Sequence, residues 1–188
     1  MGKNQLSPPK EPLRIENVAL RLIKIDDANA VVEATADGSV AEFTFMGEGL
    51  SFTEAEEWTN RSNEGWEEGI GRFAITVGAN DAMVGMVGLE ICATQRSGEI
   101  FYWLSPPARG FGYATPGVGL VAEWAFDENE LERLTLLIHP ENVASERVAM
   151  RSGFTREGLL RSYKPFKNGR TDMWSWSLLP SDKRLASG

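Results

Sequence analysis

The stretch Ser105-Pro106-Pro107-Ala108-Arg109-Gly110-Phe111-Gly112-Tyr113-Ala114 constrains the fold of this chain more than any other, because the hydrophobic period changes across it. Before it, apolar residues fall into three short runs, 72–77, 83–91 and 99–104, separated by polar, Gly-bearing turns at 78–81 and 93–98. That pattern predicts an antiparallel meander. After it, Val118, Val121, Ala122 and Ala125 recur at helical spacing, which predicts a helix over 113–127. Thr115-Pro116 falls in its first turn, where a proline is tolerated. The stretch therefore joins a strand end to a helix start. Gly110 and Gly112 let backbone approach a ligand with no Cβ in the way. The amides from Gly110 to Ala114 would converge on one point, backed by the positive end of the helix, with Arg109 adding a bidentate charge. Such a cradle suits a pyrophosphate. It is not the dinucleotide fingerprint, which needs a third glycine, nor a Walker loop, which needs Gly-Lys-Ser/Thr. In isolation a plain Gly-rich turn would look the same.

The remaining segments fit one layout. Residues 17–25 alternate as a half-buried strand should, and Asp26-Asp27 offer N-caps for a helix over 28–36 that Gly38 can stop. Residues 43–52, Gly-rich and aromatic, are expected as a loop. Thr53 with Glu56 matches a capping box, predicting a helix over 53–68 ended by Gly69-Ile70-Gly71. A further strand is expected over 133–138. Asn142 can cap a short helix to Arg151, with Gly153 as its C′ residue. Two extended segments, 154–163 and 171–179, flank the turn Lys167-Asn168-Gly169. The sum is an α/β (α+β) arrangement around one mixed sheet. A flexible N-terminal tail is expected over 1–12, one domain over 13–180, and a C-terminal tail over 181–188.

Composition removes several classes of function. The chain has 188 residues, a net charge of −8 and no long Lys/Arg run, which disfavours nucleic acid as a partner. The acidity would suit a cationic acceptor. One cysteine, Cys92, cannot form an internal disulfide, and its apolar setting fits a small core or edge residue. With one histidine, His139, and one cysteine, no ordinary zinc site can be built, and no G-x-S-x-G accompanies the histidine. No run approaches the ~20 apolar residues of a membrane span, and residues 1–12 carry three prolines rather than the apolar core of a signal peptide. A cytoplasmic location is expected.

Three motifs, in order, carry a family resemblance. Arg109-Gly110-Phe111-Gly112-Tyr113-Ala114, directly after Tyr102-Trp103-Leu104, resembles the acyl-CoA pyrophosphate motif of GNAT acyltransferases. His139-Pro140-Glu141-Asn142-Val143-Ala144-Ser145-Glu146-Arg147, ending in Arg151-Ser152-Gly153-Phe154, resembles the N-x-x-S … G-F helix of the RimJ/RimL-like branch. Glu157-Gly158-Leu159-Leu160-Arg161, Asn168-Gly169, Asp172 and Trp176-Ser177-Leu178-Leu179 resemble that branch's tail. The resemblance spans residues 13–180. One departure stands out: Pro116-Gly117 replaces the usual Glu-Ala, which would bend or shorten the helix start.

The resemblance implies the GNAT fold: a single mixed, mostly antiparallel seven-stranded sheet flanked by about four helices. It implies acetyl-CoA, or another acyl-CoA, as co-substrate and no metal. It implies a bulged strand before the Arg-Gly loop that splays from its neighbour, with the pantetheine arm held at Trp103, Leu104 and Ser105. Arg109, Gly110, Phe111, Gly112, Tyr113 and Ala114 would hold the pyrophosphate, and Asn142 the pantetheine end. Ser145 would sit by the thioester sulfur and protonate the leaving thiolate. Glu99 resembles a glutamate that some members use as general base, with Glu90 as its rival on the neighbouring strand. His139 is expected as a strand-end residue. The acceptor pocket would draw on Phe43, Phe45, Trp58 and Tyr163, and also on Trp66 and Phe166, each of which could equally be core. The acceptor would be a small-molecule amine or a protein N-terminus, and the protein a monomer or homodimer. Other readings keep the fold but change the donor, to succinyl-CoA or an aminoacyl-tRNA, or remove the chemistry, leaving a CoA-binding sensor or scaffold.

Overall fold

Glu16 adopts φ 51° in a two-residue turn, and that turn adds a strand to those the sequence predicts. The computed structural model describes residues 5–167 and 169–182. In it β1 (Leu13–Ile15) folds back on β2 (Val18–Leu22), followed by α1 (Ala28–Thr35), α2 (Phe52–Arg61), β3 (Ile70–Val77), β4 (Ala82–Cys92) and β5 (Ser97–Leu104). Then come α3 (Ala114–Asp127), β6 (Arg133–Ile138), α4 (Val143–Arg151), β7 (Thr155–Phe166) and β8 (Gly169–Leu178). The sheet has eight strands in the order β1-β2-β3-β4-β5-β6-β8-β7, not seven. Every pairing is antiparallel except β5 with β6. Three residues interrupted by Arg14 are too short a run to read as a strand; β2 supplies their ladder.

Side-chain alternation builds two cores from one sheet. Phe73, Ile75, Val87 and Ile100 point to the face covered by α3, where Val118, Val121 and Trp124 meet them. Ala74, Met86 and Trp103 point to the other face, against Val31 and Ala34 of α1 and Ala55 of α2. Each fully buried branched or aromatic side chain contributes about 1.5–3 kcal/mol. Trp66 belongs to the first core, with ring centroids 5.2 Å from Phe73 and 6.0 Å from Trp124, so it is not an acceptor-pocket residue.

The second helix differs from its expected bounds. Ser51, not Thr53, is the N-cap: its hydroxyl accepts the N–H of Glu54, whose carboxylate accepts the Ser51 N–H at 2.8 Å. Two overlapping boxes compete here, and the earlier one places Ala55 on the buried face. The helix stops at Arg61 rather than 68. The Ser62 hydroxyl turns back to the Trp58 carbonyl, and the Asn63 amide donates to the Ile23 carbonyl at 2.9 Å. Local side-chain bonds of this kind compete with helix continuation. A 3-10 turn follows over Glu64–Glu68, closed by Gly69 at φ 87°. Pro116 does not shorten α3, because first-turn N–H groups need no intrahelical acceptor. Gly117 brings α3 close to β3, since a Cβ there would lie 3.2 Å from Ile75 Cδ1.

Leu6, within the segment expected as a tail, is buried and donates its N–H to the Trp66 carbonyl at 2.9 Å. Residues 1–4 and 183–188 of the expected tails, and Asn168 of the expected turn, lie outside the described residues.

Candidate functional site

The parallel pair β5–β6 holds together only from Ser97↔Arg133 to Glu99↔Thr135. Beyond Glu99 the strands part, and the edge of β5 from Ile100 to Leu104 is left without β6 partners. Antiparallel neighbours on both sides pull the two strands along different twists, so the wedge opens toward their C-terminal ends. The β4–β5 ladder runs unbroken from Cys92↔Ser97 to Gly85↔Leu104, so β5 is splayed without the bulge expected of it. The register shift lies one strand over, between β3 and β4 at Ile75/Thr76. Next to it, Ser105 is buried and donates both its N–H and its hydroxyl to the Val84 carbonyl, each at 2.9 Å.

Two cavities meet in the wedge. The first, about 350 Å³, runs from Trp103 and Leu104 past Arg109, Gly110, Gly112 and Ala114 to Asn142, Ser145 and Arg151. Gly110 and Gly112 take φ 84° and 85°, and a Cβ on either would point into open space. The N–H groups of residues 110–113 donate to no protein atom among the described residues. Gly110 and Gly112 line the cavity beside Ala114 and Thr115 at the N-terminus of α3. Arg109 donates Nε–H to the Leu104 carbonyl at 3.2 Å, which orients its guanidinium. Phe111 is exposed and stacks on Tyr113 at 5.7 Å, and neither ring lines the cavity.

Two further arginines, which no sequence motif marks as functional, stand in this cavity. Arg147 and Arg151 lie one turn apart on α4 and line the wall with Arg109. None of the three forms a salt bridge among the described residues. Within a chain of net charge −8, this is a local cluster of uncommitted cations. The i,i+4 spacing was a visible signal for it.

The second cavity, about 480 Å³, lies on the other side of the wedge. Its wall holds Glu99 and Glu90, adjacent across the β4–β5 ladder, with Phe43, Phe45, Trp58 and Phe166. The Glu99 carboxylate accepts a hydrogen bond from Lys164 Nζ at 2.7 Å, with both groups about one-third exposed. Trp58 packs on Trp103 at 6.1 Å. His139 lines the cavity, in ring contact with Phe43 at 5.5 Å and Phe166 at 6.2 Å. Tyr163 is exposed and does not line it.

Tyr102, Trp103, Asn142 and Ser145 line both cavities. Asn142 is the N-cap of α4, its Oδ1 accepting the Ser145 N–H at 3.1 Å, so capping also fixes Ser145 at the junction. The Tyr102 hydroxyl is buried with no hydrogen-bond partner among the described residues. Burial pushes its pKa up to about 12, while the nearby Ser145 hydroxyl pulls the other way. In the sequence Tyr102 stands out only as part of the strand motif Tyr102-Trp103-Leu104. Among the described residues no cluster of His, Cys, Asp and Glu could hold a metal ion, and no helix is long and apolar enough to cross a membrane.

The geometry agrees with comparisons to known proteins. A model of the acetyltransferase (GNAT) domain matches residues 17–155. The uncharacterized N-acetyltransferase p20 of Bacillus licheniformis is 28% identical over 171 residues, covering 90% of this chain and 96% of that protein. An acetyltransferase (GNAT family) from Bacillus anthracis shares the fold with a TM-score of 0.79 at 24% identity, over 90% of this chain and 98% of its own. RimJ of Mycobacterium smegmatis, solved in complex with CoA-disulfide, does so with a TM-score of 0.77 at 23% identity, over 90% and 86%.

Proposed function

We propose that this chain, which belongs to the GNAT acetyltransferase family, transfers the acetyl group of acetyl-CoA to a primary amine by direct attack within a ternary complex. The observation that carries this reading is the meeting of the two cavities at Ser145: one lined by Gly110, Gly112 and three arginines, the other by carboxylates and aromatic rings.

In this reading the pyrophosphate rests on the N–H groups of residues 110–114 and the α3 N-terminus. Arg109, Arg147 and Arg151 supply charge to the phosphates. The pantetheine arm lies along the free edge of β5 and completes the backbone bonding that β6 gives up. The thioester then reaches the junction of Tyr102, Asn142 and Ser145.

The amine enters from the second cavity. Glu99, held by Lys164, takes its proton, directly or through water. The freed nitrogen forms a bond to the carbonyl carbon, and an N–H on the β5 edge stabilises the oxyanion. The C–S bond breaks, the Ser145 hydroxyl delivers a proton to the sulfur, and the remaining extra proton of the attacking nitrogen returns to the serine oxygen, leaving a neutral amide and the CoA thiol. Tyr102 stands beside Ser145, near enough for a small shift of either hydroxyl to join them by a hydrogen bond.

A thermal melt with acetyl-CoA, succinyl-CoA and free CoA tests the reading. A ligand at ~100 times its Kd stabilises the native state by about 2.7 kcal/mol. Acetyl-CoA is expected to raise Tm most. Absence of a shift with all three refutes the reading.

A further inference from the structure

Arg72 is a cation in the second cavity to which acetyl transfer gives no task. It stands on β3 opposite Gly88 of β4, which in turn stands opposite Phe101 of β5. Because Gly88 has no side chain, the Phe101 ring lies down on the sheet, where a Cβ would strike it. The Arg72 guanidinium sits over that ring, 6.0 Å from its centroid. A contact with a ring leaves the five N–H donors without a hydrogen-bond acceptor. Arg72 forms no ion pair and no hydrogen bond among the described residues. It is half-buried, and burial lowers its pKa against the opposing pull of Glu90.

Desolvated charges are normally paired, because an unpaired one loses its hydration without compensation. A guanidinium held by ring contact, with its donors free and its side chain lining a cavity, is arranged for an anion that arrives with the ligand. We propose that Arg72 anchors a carboxylate of the acceptor, so that the acceptor is a small molecule bearing both an amine and a carboxylate: an amino acid, or a short peptide with a free C-terminus. This rests on the acetyl-transfer reading above.

Charge selects carboxylate over phosphate. The same wall carries Glu90 and Glu99, and Lys164 is committed to Glu99. With Lys164 paired to Glu99, the wall leaves Arg72 beside Glu90 and no surplus positive charge, which disfavours a dianion more than a single carboxylate. Size agrees as well. Arg72 and Ser145 line the same cavity of about 480 Å³, which a small acceptor can fill with its carboxylate toward Arg72 and its nitrogen toward Ser145. The fork geometry of the guanidinium fits a carboxylate through two parallel bonds.

The test uses the full chain with acetyl-CoA and reads CoA release with a thiol reagent. Acceptors are the free amino acids, a set of dipeptides, and the methyl esters of both. The free acids are expected to exceed their esters in kcat/KM by tenfold or more, and comparison of amino acids with dipeptides ranks the two sources. Arg72→Met is expected to raise KM for the acids at least tenfold and to bring the acid-to-ester ratio toward one, with Arg72→Lys between it and wild type. Melts with acetyl-CoA on the same samples show that each variant is folded and binds donor. A normal acetyl-CoA shift without any preference for the acids, or with none of the acids turned over, overturns the proposal and leaves acetyl transfer standing. An Arg72→Met enzyme that keeps the wild-type acid-to-ester ratio overturns it too. Loss of the acetyl-CoA shift in the wild type removes the underlying reading and the proposal with it.

Discussion

Lys164 Nζ lies 2.7 Å from Glu99 Oε1, although Glu99 is on β5 and Lys164 is on β7, at the far edge of the sheet. The contact exists because β7 bends. The β7–β8 register shifts between Leu160 and Lys164, with Ser162 at φ 50°. Asp172 holds the bulge by accepting the Ser162 N–H, and Arg170 donates to the Ser162 and Tyr163 carbonyls. A bulge inserts extra residues into one strand and re-aims those beyond it. Here it turns Lys164 and Phe166 into the second cavity and leaves Tyr163 outside.

If Glu99 is the proton acceptor, Glu99→Gln should lower kcat by 10²–10⁴-fold, the usual contribution of a general base. The change keeps the side chain's shape, and the ion pair it removes is partly exposed and worth at most about 1 kcal/mol. Tm should therefore move little. Glu90→Gln should affect kcat far less. Steady-state kinetics beside a thermal melt separates the two carboxylates, and equal losses from both would argue against Glu99 as the base.

Tyr102→Phe should separate stability from activity. The phenol oxygen is buried with no hydrogen-bond partner among the described residues, so removing it should leave Tm unchanged or raised at neutral pH. Turnover should fall about tenfold if the phenol orients Ser145. Alkaline pH gives a second signature. The folded pKa is raised from 10.0 to about 12, so the unfolded chain ionises first. The stability tied to the neutral phenol is complete below pH 10 and is lost as pH rises toward 12. Its full size is about 2–3 kcal/mol. Wild type should therefore lose stability more steeply than Tyr102→Phe between those limits, as urea melts at successive pH values would show. Parallel curves would mean that the phenol is not held neutral by burial.

The strand meander, the Gly-rich loop, α3 and the Asn142 cap are legible in the sequence because each rests on local periodicity or on one residue's backbone preference. The junction of Tyr102 with Ser145 is not, since it depends on how far β5 and β6 diverge. Lys164 and Arg72 escape for a similar reason. Lys164 needs the bulge at 161–163, and Arg72 needs a glycine on the neighbouring strand; neither follows from spacing along the chain. Ser51 shows the opposite limit, where two local signals overlap and tertiary burial of Ala55 selects between them.

Arg147→Ala and Arg151→Ala should weaken acetyl-CoA without weakening the fold. Neither residue has an ion-pair partner to lose among the described residues. A charge-assisted bond to phosphate is worth about 1.5–3 kcal/mol, so each change should raise Kd roughly 10- to 150-fold. Apo Tm should stay at the wild-type value. The affinity difference should shrink as salt rises and screens the phosphates. Calorimetric titration at two ionic strengths provides the check, and a salt-independent Kd in the wild type would place the phosphates elsewhere.

Gly112 offers a test of the cradle that bypasses the charges. Its φ of 85° is in the left-handed region, and an added Cβ would meet nothing within 4 Å. Gly112→Ala therefore suffers backbone strain rather than a clash, and should lose roughly 1–2 kcal/mol of stability. Gly112→Asn should lose less, because asparagine tolerates this region better. Stability and binding should then diverge. Both variants place a side chain at the wall of the first cavity, which Gly112 lines, and asparagine places the larger one. Acetyl-CoA affinity should fall in the order Gly, Ala, Asn, while stability falls in the order Gly, Asn, Ala. A paired set of urea melts and acetyl-CoA titrations reads both orders. If affinity instead tracks stability, Gly112 serves the turn and not the ligand.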